Sequence, residues 1–387
     1  MNYPFDGEVL CAPDSFKGSL SAEEAAEALA RGVREAWPDA PIRLMPLADG
    51  GEGSIAILHR SSGGALRSVD VEGPNGEPVI ASYLMLDART AVVEMAQASG
   101  LPLVPAGHLR PETASTYGTG QLIRDALEHG ATHIIVCLGG SATTDGGAGM
   151  AEALGFRLLD AAGAGIPRGG TALSKLAGID SSGVDPNIKS ARFTTATDVT
   201  NPLCGPSGAA AVYGPQKGAS LEAVQRLEAG LAQLARILRR DRQVDVMDAA
   251  GAGAAGGLGA GMLGFLHAAI ESGAETLMDA AGLPEALRSA ALCITGEGRI
   301  DAQSAMGKLI ARLGKRCQRA GVPLIAIGGG VSPEAAPLLE KGITAILSAT
   351  SQPGPPPSTA AEAAQRLQTA AANACRLVGA GAGMVGV

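Results

Sequence analysis

The stretch Gly139-Gly140-Ser141-Ala142-Thr143-Thr144-Asp145-Gly146-Gly147-Ala148-Gly149 packs glycines, hydroxyls and one carboxylate into a single short segment. It follows the apolar run His133–Leu138, which reads as a buried strand, and leads into Met150–Gly155, which reads as a short helix. A strand that ends this way suits an anion. Glycines let the backbone approach closely and present N–H groups, and a helix N-terminus adds positive potential. The alternative is a tight turn that needs glycine for positive φ. The density of Ser141, Thr143, Thr144 and Asp145 among the glycines favours a site.

Similar polar, glycine-rich loops recur at other expected strand ends, where open parallel sheets bind ligands. Asp14-Ser15-Phe16-Lys17-Gly18 sets a mobile cation beside a helix start, suited to a carboxylate or phosphate, or simply to solvent. Asp49-Gly50-Gly51-Glu52-Gly53 carries paired acids among glycines, as a ligand loop or a solvated turn. Ser115-Thr116-Tyr117-Gly118-Thr119-Gly120 opens a helix and can equally be its cap. Asp198 lies at a strand end, where an acid takes a proton from a hydroxyl, holds a metal, or closes an Asx-turn. Gly214-Pro215-Gln216-Lys217-Gly218 holds a lysine in a tight turn shaped for nucleotide phosphates. Gly296-Glu297-Gly298-Arg299-Ile300-Asp301 follows a strand and offers acids and an arginine, for a ligand or for locking the loop.

Other patterns are weaker. Gly307-Lys308 fails as a P-loop because Ala302 and Leu309 stand where a glycine and a Ser or Thr are needed. Gly251-Ala252-Gly253-Ala254-Ala255-Gly256 matches G-x-G-x-x-G in form. The preceding residues 245–250 make a poor strand, so close backbone packing is favoured over a nicotinamide or flavin site. The histidines show no metal-ligand spacing.

Elements that could position these loops follow from periodicity. Glu8–Pro13 and Ile42–Met45 read as strands, with a helix from Ser21 to Trp37 between them, opened by the capping box Ser21/Glu24. Ser54–Arg60 reads as a further short helix. From Leu66 the rhythm changes to an antiparallel hairpin, Leu66–Val71 and Val79–Leu86, around Pro74-Asn75-Gly76. Strands at Thr90–Met95 and Ser190–Thr197 follow, with helices at Thr119–Glu128 and Ser220–Arg240. The leucine stripe of the last is core packing. The βα rhythm returns at Ala291–Thr295, Ala305–Ala320, Val322–Ile327, Pro333–Glu340, Ile343–Ser348 and Thr359–Val378. Pro353–Pro357 reads as a rigid connector, and Gly379–Val387 as a frayed tail. This predicts an α/β fold of two domains: 1–68 with 288–387, built from both chain ends, and an inserted domain, 69–287, with the chemistry in the cleft.

Composition narrows the function. The 387 residues carry a net charge of −8 and no basic run, which argues against a nucleic-acid partner. The six cysteines are scattered without a C-x-x-C pair and read as core thiols of a reducing, cytoplasmic compartment. There is no apolar signal segment, and Ala249–Ile270 is too glycine-rich for a membrane span.

These motifs in this order resemble the bacterial glycerate kinases that make 2-phosphoglycerate, over essentially the whole chain. The resemblance rests on Ala12–Ser21, Ala48–Gly53, Thr116–Gly120, Gly139–Gly149, Asp198 with Asn201-Pro202-Leu203, Gly214–Gly218 and Thr295–Asp301. Thr144 departs from it, standing where Asn is usual. The resemblance implies a flavodoxin-like domain with an inserted domain of restriction-enzyme-like fold, ATP and Mg²⁺ as cofactors, and D-glycerate as substrate. Residue type and position then suggest roles. Asp198 is the expected base, with Lys17 beside it in the catalytic set. Asp14, Ser15, Lys17, Asp49 and Glu52 are expected on glycerate. Gly139, Gly140, Ser141, Thr143, Asp145, Gly146, Gly147, Gly214, Gln216 and Lys217 are expected on the nucleotide, and Glu297 with Asp301 on the metal. The expected assembly is a monomer or homodimer. A nicotinamide-dependent oxidoreductase and a non-catalytic anion- or nucleotide-binding protein are the alternatives.

Overall fold

The computed structural model describes residues 3–48, 50–51, 53–305, 309–350 and 357–385. Asp49, Glu52, Gly307, Lys308 and most of the Pro353–Pro357 connector lie outside them. The strands in chain order are β1 (Glu8–Cys11), β2 (Ile42–Leu44), β3 (Ala65–Glu72), β4 (Pro78–Met85), β5 (Thr90–Glu94), β6 (His133–Cys137), β7 (Arg157–Leu159), β8 (Gly178–Asp180), β9 (Arg192–Ala196), β10 (Ala269–Glu271), β11 (Ala290–Ile300), β12 (Leu324–Val331) and β13 (Ala345–Ser348). The chain forms two compact units, Met1–Asp49 with Arg60–Ser62 and Ala274–Val387, and Gly50–His59 with Gly63–Gly273.

The first unit holds an all-parallel sheet in the order β13-β12-β11-β1-β2. Val9, Leu10, Cys11, Leu292, Cys293, Ile294, Leu324, Ile325 and Ile327 are buried, the near-continuous apolar runs of strands covered on both faces. The helix Ala22–Ala36 starts at the Ser21/Glu24 capping box, with both reciprocal hydrogen bonds formed. It packs on the helix Ala360–Val385 at Gly32, where a Cβ would stand 2.3 Å from the Gln368 carbonyl oxygen. The strand order reverses between β1 and β11. At such a reversal the connections that follow the two strands cross to opposite faces of the sheet.

The second unit holds a mixed sheet in the order β10-β9-β6-β5-β4-β3. β3, β4 and β5 pair antiparallel, whereas β5, β6, β9 and β10 pair parallel. β7 and β8 form a separate antiparallel pair. One contiguous core joins this sheet to the helices Tyr117–Glu128, Leu221–Asp241 and Ala254–Leu266. Leu227, Leu231, Leu234 and Leu238 of the expected stripe lie fully inside it, while Leu221 is exposed.

Several boundaries differ from the sequence reading. The units divide near residues 49 and 273, where rhythm placed the junctions at 68 and 288. β3 pairs with β4 from Ala65 onward, so the whole hairpin joins the second sheet. The helices Gly273–Ala280 and Leu283–Ser289 bury Ala274, Met278, Leu283, Ala286 and Leu287 in the core of the first unit. β11 runs through Ile300, so Glu297 lies inside a strand and not in the loop after it. Its register with β12 continues through Glu297↔Gly328, Arg299↔Gly330 and Ile300↔Val331. The final helix continues to Val385 where a frayed tail was expected from Gly379.

Candidate active site

In the second unit the ends of β6 and β9 adjoin, with Cys137 opposite Ala196 and the Leu138 N–H donating to the Ala196 carbonyl at 3.1 Å. The loop that leaves β6 has an outer and an inner half. Its outer half, Gly139–Ala142, is held by a bridge to Ser99–Leu101. The Leu101 N–H donates to the Gly140 carbonyl at 2.7 Å and the Ala142 N–H to the Ser99 carbonyl at 2.9 Å. The N–H groups of Gly139, Gly140 and Ser141 have no acceptor among the described residues. Gly140 stands at φ 66°, which turns successive N–H groups toward a common point, as in an anion-binding nest.

The inner half, Thr143–Gly149, is buried. Asp145 is fully enclosed. Its carboxylate accepts from the Thr116 N–H (2.8 Å), the Thr116 hydroxyl (2.9 Å) and the N–H groups of Gly147 and Gly149 (3.2 Å each). Burial pushes its carboxyl pKa up, and these donors oppose that shift by stabilising the anion. Thr116 Oγ1 also accepts from the Met150 N–H at 2.9 Å, so Asp145 and Thr116 tie together the starts of the helices Tyr117–Glu128 and Ala148–Ala153. Among the residues expected on the nucleotide, Thr143, Asp145, Gly146 and Gly147 thus face the interior. Gly146 and Gly147 make room for Leu234 and Gly261, so these glycines serve packing.

Gly214–Gly218 does meet this loop, but Lys217 approaches from beneath. Its side chain is 1% exposed, and Nζ donates to Ser141 Oγ at 2.7 Å and to the Thr143 carbonyl at 2.6 Å. Gln216 in the same turn is exposed. Burial pushes the Lys217 ammonium down to about 7, with the nearby Asp145 charge opposing the shift. The lysine pKa in the unfolded chain is ~10.4, well above this folded value. Between the two, the unfolded state binds more protons, so stability rises with pH across that window and falls as pH drops toward 7. We expect a rise of up to ~1.4 kcal/mol per pH unit there, and its loss in Lys217→Met. Thermal melts at about pH 7.5 and about pH 9.5 measure it, and an equal pH slope in the variant would contradict the assignment.

The segment Gly50–His59 also belongs to this strand-end cluster. A Cβ on Gly139 would stand 2.8 Å from Gly51 Cα, and one on Gly50 would stand 3.6 Å from the Ala196 carbonyl oxygen. Glu94, the last residue of β5, is buried and accepts from the Ile55 N–H at 2.7 Å and from the Gln97 amide at 3.3 Å. Burial pushes its carboxyl up, and donors from Ile55, Gln97, Gly53 and Ser54 oppose the shift. Glu94 therefore anchors the start of the helix Ser54–Ser62, whose N-cap is Gly53 and has no side chain to do so. Sequence reasoning missed Glu94. Its signal was one acid closing an otherwise apolar strand, Ala91-Val92-Val93-Glu94. Asp198, just past β9, is exposed, and its Oδ1 accepts from the Ser272 hydroxyl at 2.7 Å.

In the first unit the segment that leaves β1 is locked to β11. The Asp14 N–H donates to the Gly296 carbonyl at 2.9 Å, and the Thr295 hydroxyl to the Ala12 carbonyl at 2.7 Å. A Cβ on Gly298 would stand 3.3 Å from the Lys17 backbone nitrogen. Asp14 and Ser15 are half-buried, the Ser15 N–H donates to Asp14 Oδ1 at 2.6 Å, and Lys17 is exposed. Glu297 and Asp301 share Ser304, whose hydroxyl donates to Glu297 and accepts from the Asp301 N–H at 3.2 Å. Arg299 pairs with Asp301 at 3.4 Å. Among the described residues no cluster of three or more His, Cys, Asp or Glu side chains is placed to hold a metal.

The Gly251–Gly256 match is a packing device. No strand precedes it, and a Cβ at Gly253 or Gly256 would stand 2.2 Å from the Pro202 carbonyl oxygen or 1.9 Å from that of Thr143. Gly256 holds φ 67° where the helix Ala254–Leu266 begins, and its carbonyl accepts from the Gly146 N–H at 3.1 Å. These glycines pass the inner loop at backbone contact, which removes the basis for a nicotinamide site. The six cysteines form no disulfide, and among the described residues no helix is long and apolar enough to cross a membrane.

The glycerate kinase family pattern matches residues 9–379. The chain is 47% identical over 341 residues to a glycerate kinase of Halalkalibacterium halodurans, covering 88% of this chain and 90% of that one. It is 46% identical over 345 residues to the glycerate 2-kinase of Escherichia coli K12, with the same coverage. A crystal structure from Salmonella typhimurium LT2, provisionally named glycerate kinase 2, superposes with a TM-score of 0.87 at 43% identity, covering 97% of this chain and 99% of that one. The chain belongs to the glycerate kinase family.

Proposed function

We propose that this chain transfers the γ-phosphoryl group of ATP to the C2 hydroxyl of D-glycerate, giving 2-phosphoglycerate and ADP. The observation that carries this reading, beside family membership, is the row of N–H groups at Gly139, Gly140 and Ser141 without an acceptor among the described residues, next to the strand end that bears Asp198. Phosphoryl transfer asks the protein mainly for positioning and charge. The outer loop supplies donors for phosphate oxygens. Lys217 acts from beneath, fixing Ser141 and Thr143, and Gln216 is the exposed member of its turn. Asp198 takes the C2 hydroxyl proton, and the freed oxygen attacks the γ-phosphorus as the bond to ADP breaks.

Glycerate recognition is assigned to Asp14, Ser15 and Lys17 at the end of β1, with Asp49 and Glu52 added from sequence. Lys17 is exposed and makes no ion pair among the described residues, so its ammonium is available to a carboxylate. Glu297 and Asp301 are assigned to magnesium, which takes one or two carboxylates and completes its shell with phosphates and water. Mg²⁺ held there would neutralise phosphate charge. The strand order of the first unit supports a flavodoxin-like fold for it, and we retain a restriction-enzyme-like reading for the second. Free, mostly buried thiols support a cytoplasmic enzyme, and we propose a monomer or homodimer.

Incubation with ATP, Mg²⁺ and D-glycerate tests the reading. ADP release that requires glycerate is expected, and ATP binding without turnover would overturn it. Lys17→Ala should raise the glycerate KM about tenfold or more, the scale of a lost charge-assisted hydrogen bond, while the ATP KM stays within about twofold. Equal effects on both KM values would remove Lys17 from the glycerate side.

A further inference from the structure

A second cavity lies away from the strand ends that carry the Gly139 loop and Asp198. It has a volume of about 310 Å³ and opens at the N-terminal ends of β9 and β10, beside Arg192 and Ala269. β9 separates it from the candidate active site, because Arg192 opens that strand and Ala196 closes it. Its size falls at the lower end of small-molecule pockets.

The lining is unusual for a chain of net charge −8. It includes Lys189, Arg192, Arg242 and His267 and contains no Asp or Glu. Phe156 and Phe265 supply an aromatic wall, their ring centroids 5.2 Å apart. The Arg242 guanidinium lies over this wall, 5.4 Å from the Phe156 centroid. It is held by the Gly264 and Phe265 carbonyls at 3.4 and 3.3 Å and donates to His267 Nε2 at 3.2 Å. Those bonds use Nε and one terminal nitrogen. The other terminal nitrogen has no partner among the described residues.

With Nε2 accepting from Arg242, the neutral His267 ring carries its proton on Nδ1, as a further donor. His267 stands at φ 51°, the left-handed helix end where glycine is the cheap choice, so its side chain is kept at a backbone cost. Lys189 makes no ion pair or hydrogen bond among the described residues. Arg192 meets Glu271 only at 3.4 Å with both side chains largely exposed, a pair that a bound anion can replace at little cost.

We infer that this cavity is a second ligand site, for a small organic anion that joins a ring-sized apolar body to one carboxylate or phosphate group. The aromatic wall takes the body, and Arg242, Lys189 and Arg192 take the charge. The site is independent of the proposed kinase reaction, since it shares no residue with it.

Calorimetric titration of the full chain with phenyl phosphate and with benzoate tests this, with benzyl alcohol as the uncharged control. One saturable site per chain is expected for at least one of the anions, with Kd in the millimolar range or tighter. The alcohol should bind at least about tenfold more weakly, the scale of one charge-assisted hydrogen bond. Saturating ATP alone, or saturating glycerate alone, should leave the affinity unchanged. The double variant Lys189→Glu/Arg192→Glu should weaken binding by about tenfold or more, and Lys189→Gln alone by less. If the double variant does not fold, Lys189→Gln together with weakening by salt in the parent chain decides the matter. No saturable binding of either anion, displacement by nucleotide, or affinity indifferent to both the variants and salt would overturn the inference.

Discussion

Replacing Asp198 with asparagine is expected to lower kcat by about a hundredfold or more, the usual scale for loss of a general base. The side chain is well placed for a clean test. It is exposed at the end of β9, next to the open N–H groups of the Gly139 loop, so substrate can reach it. Its Oδ1 accepts from the Ser272 hydroxyl, a bond that the asparagine carbonyl can also accept. The variant therefore keeps shape and this hydrogen bond and loses the ability to take a proton. Glycerate KM should change little, and the melting temperature should match the parent. Steady-state kinetics with a parallel melt checks both. Restoration of kcat by raised Mg²⁺ would move Asp198 from proton transfer to metal binding, and a near-parental kcat would remove it from both roles.

The largest expected effect on stability is at Asp145. Asp145→Ala strips the acceptor from the N–H groups of Thr116, Gly147 and Gly149 and from the Thr116 hydroxyl, all in a fully buried place. Each stranded buried donor costs about 1–3 kcal/mol, so we expect a loss of several kcal/mol. Domains of this size are stable by only about 5–15 kcal/mol. At about 2–4 °C per kcal/mol, the melting temperature should fall by about 10 °C or more. Asp145→Asn keeps one carbonyl acceptor and should lose less. Differential scanning calorimetry provides the measurement. A melting temperature for Asp145→Ala within about 2 °C of the parent would show that the carboxylate does not clamp the two helix starts.

Asp145 also marks where sequence reading stopped. Periodicity placed β1, the capping box at Ser21, the hairpin and the leucine helix to within a few residues, because each is set by local pattern. The Gly139 loop was legible from composition as a glycine-rich turn between a strand and a helix. Its division into an outer half that reaches the surface at Gly139 and Gly140 and a packed inner half was not, because that depends on Leu234, Gly256 and Gly261, distant in sequence. Lys217 illustrates the same limit. A lysine between glycines in a turn suggests an exposed cation, whereas its burial follows from the tertiary position of Ser141 and Thr143. The extension of β11 through Glu297 was hidden because Gly296 and Gly298 read as loop, while pairing of Gly296 with Ile327, Glu297 with Gly328 and Arg299 with Gly330 of β12 keeps the segment extended. Glu94 was hidden because its partners, Gly53–Ile55, come from another part of the chain.

The most direct test of the central claim is the identity of the product. Gripping the glycerate carboxylate with Lys17 and nearby N–H groups fixes the adjacent C2 oxygen more tightly than the C3 oxygen, which keeps an extra rotatable bond. The better-fixed oxygen loses less entropy in reaching the in-line geometry. The reaction mixture is offered to enolase with no phosphoglycerate mutase present, and phosphoenolpyruvate is followed over time. Prompt phosphoenolpyruvate formation is the predicted result. A phosphorylated product that enolase ignores until mutase is added would be 3-phosphoglycerate, and it would contradict the account.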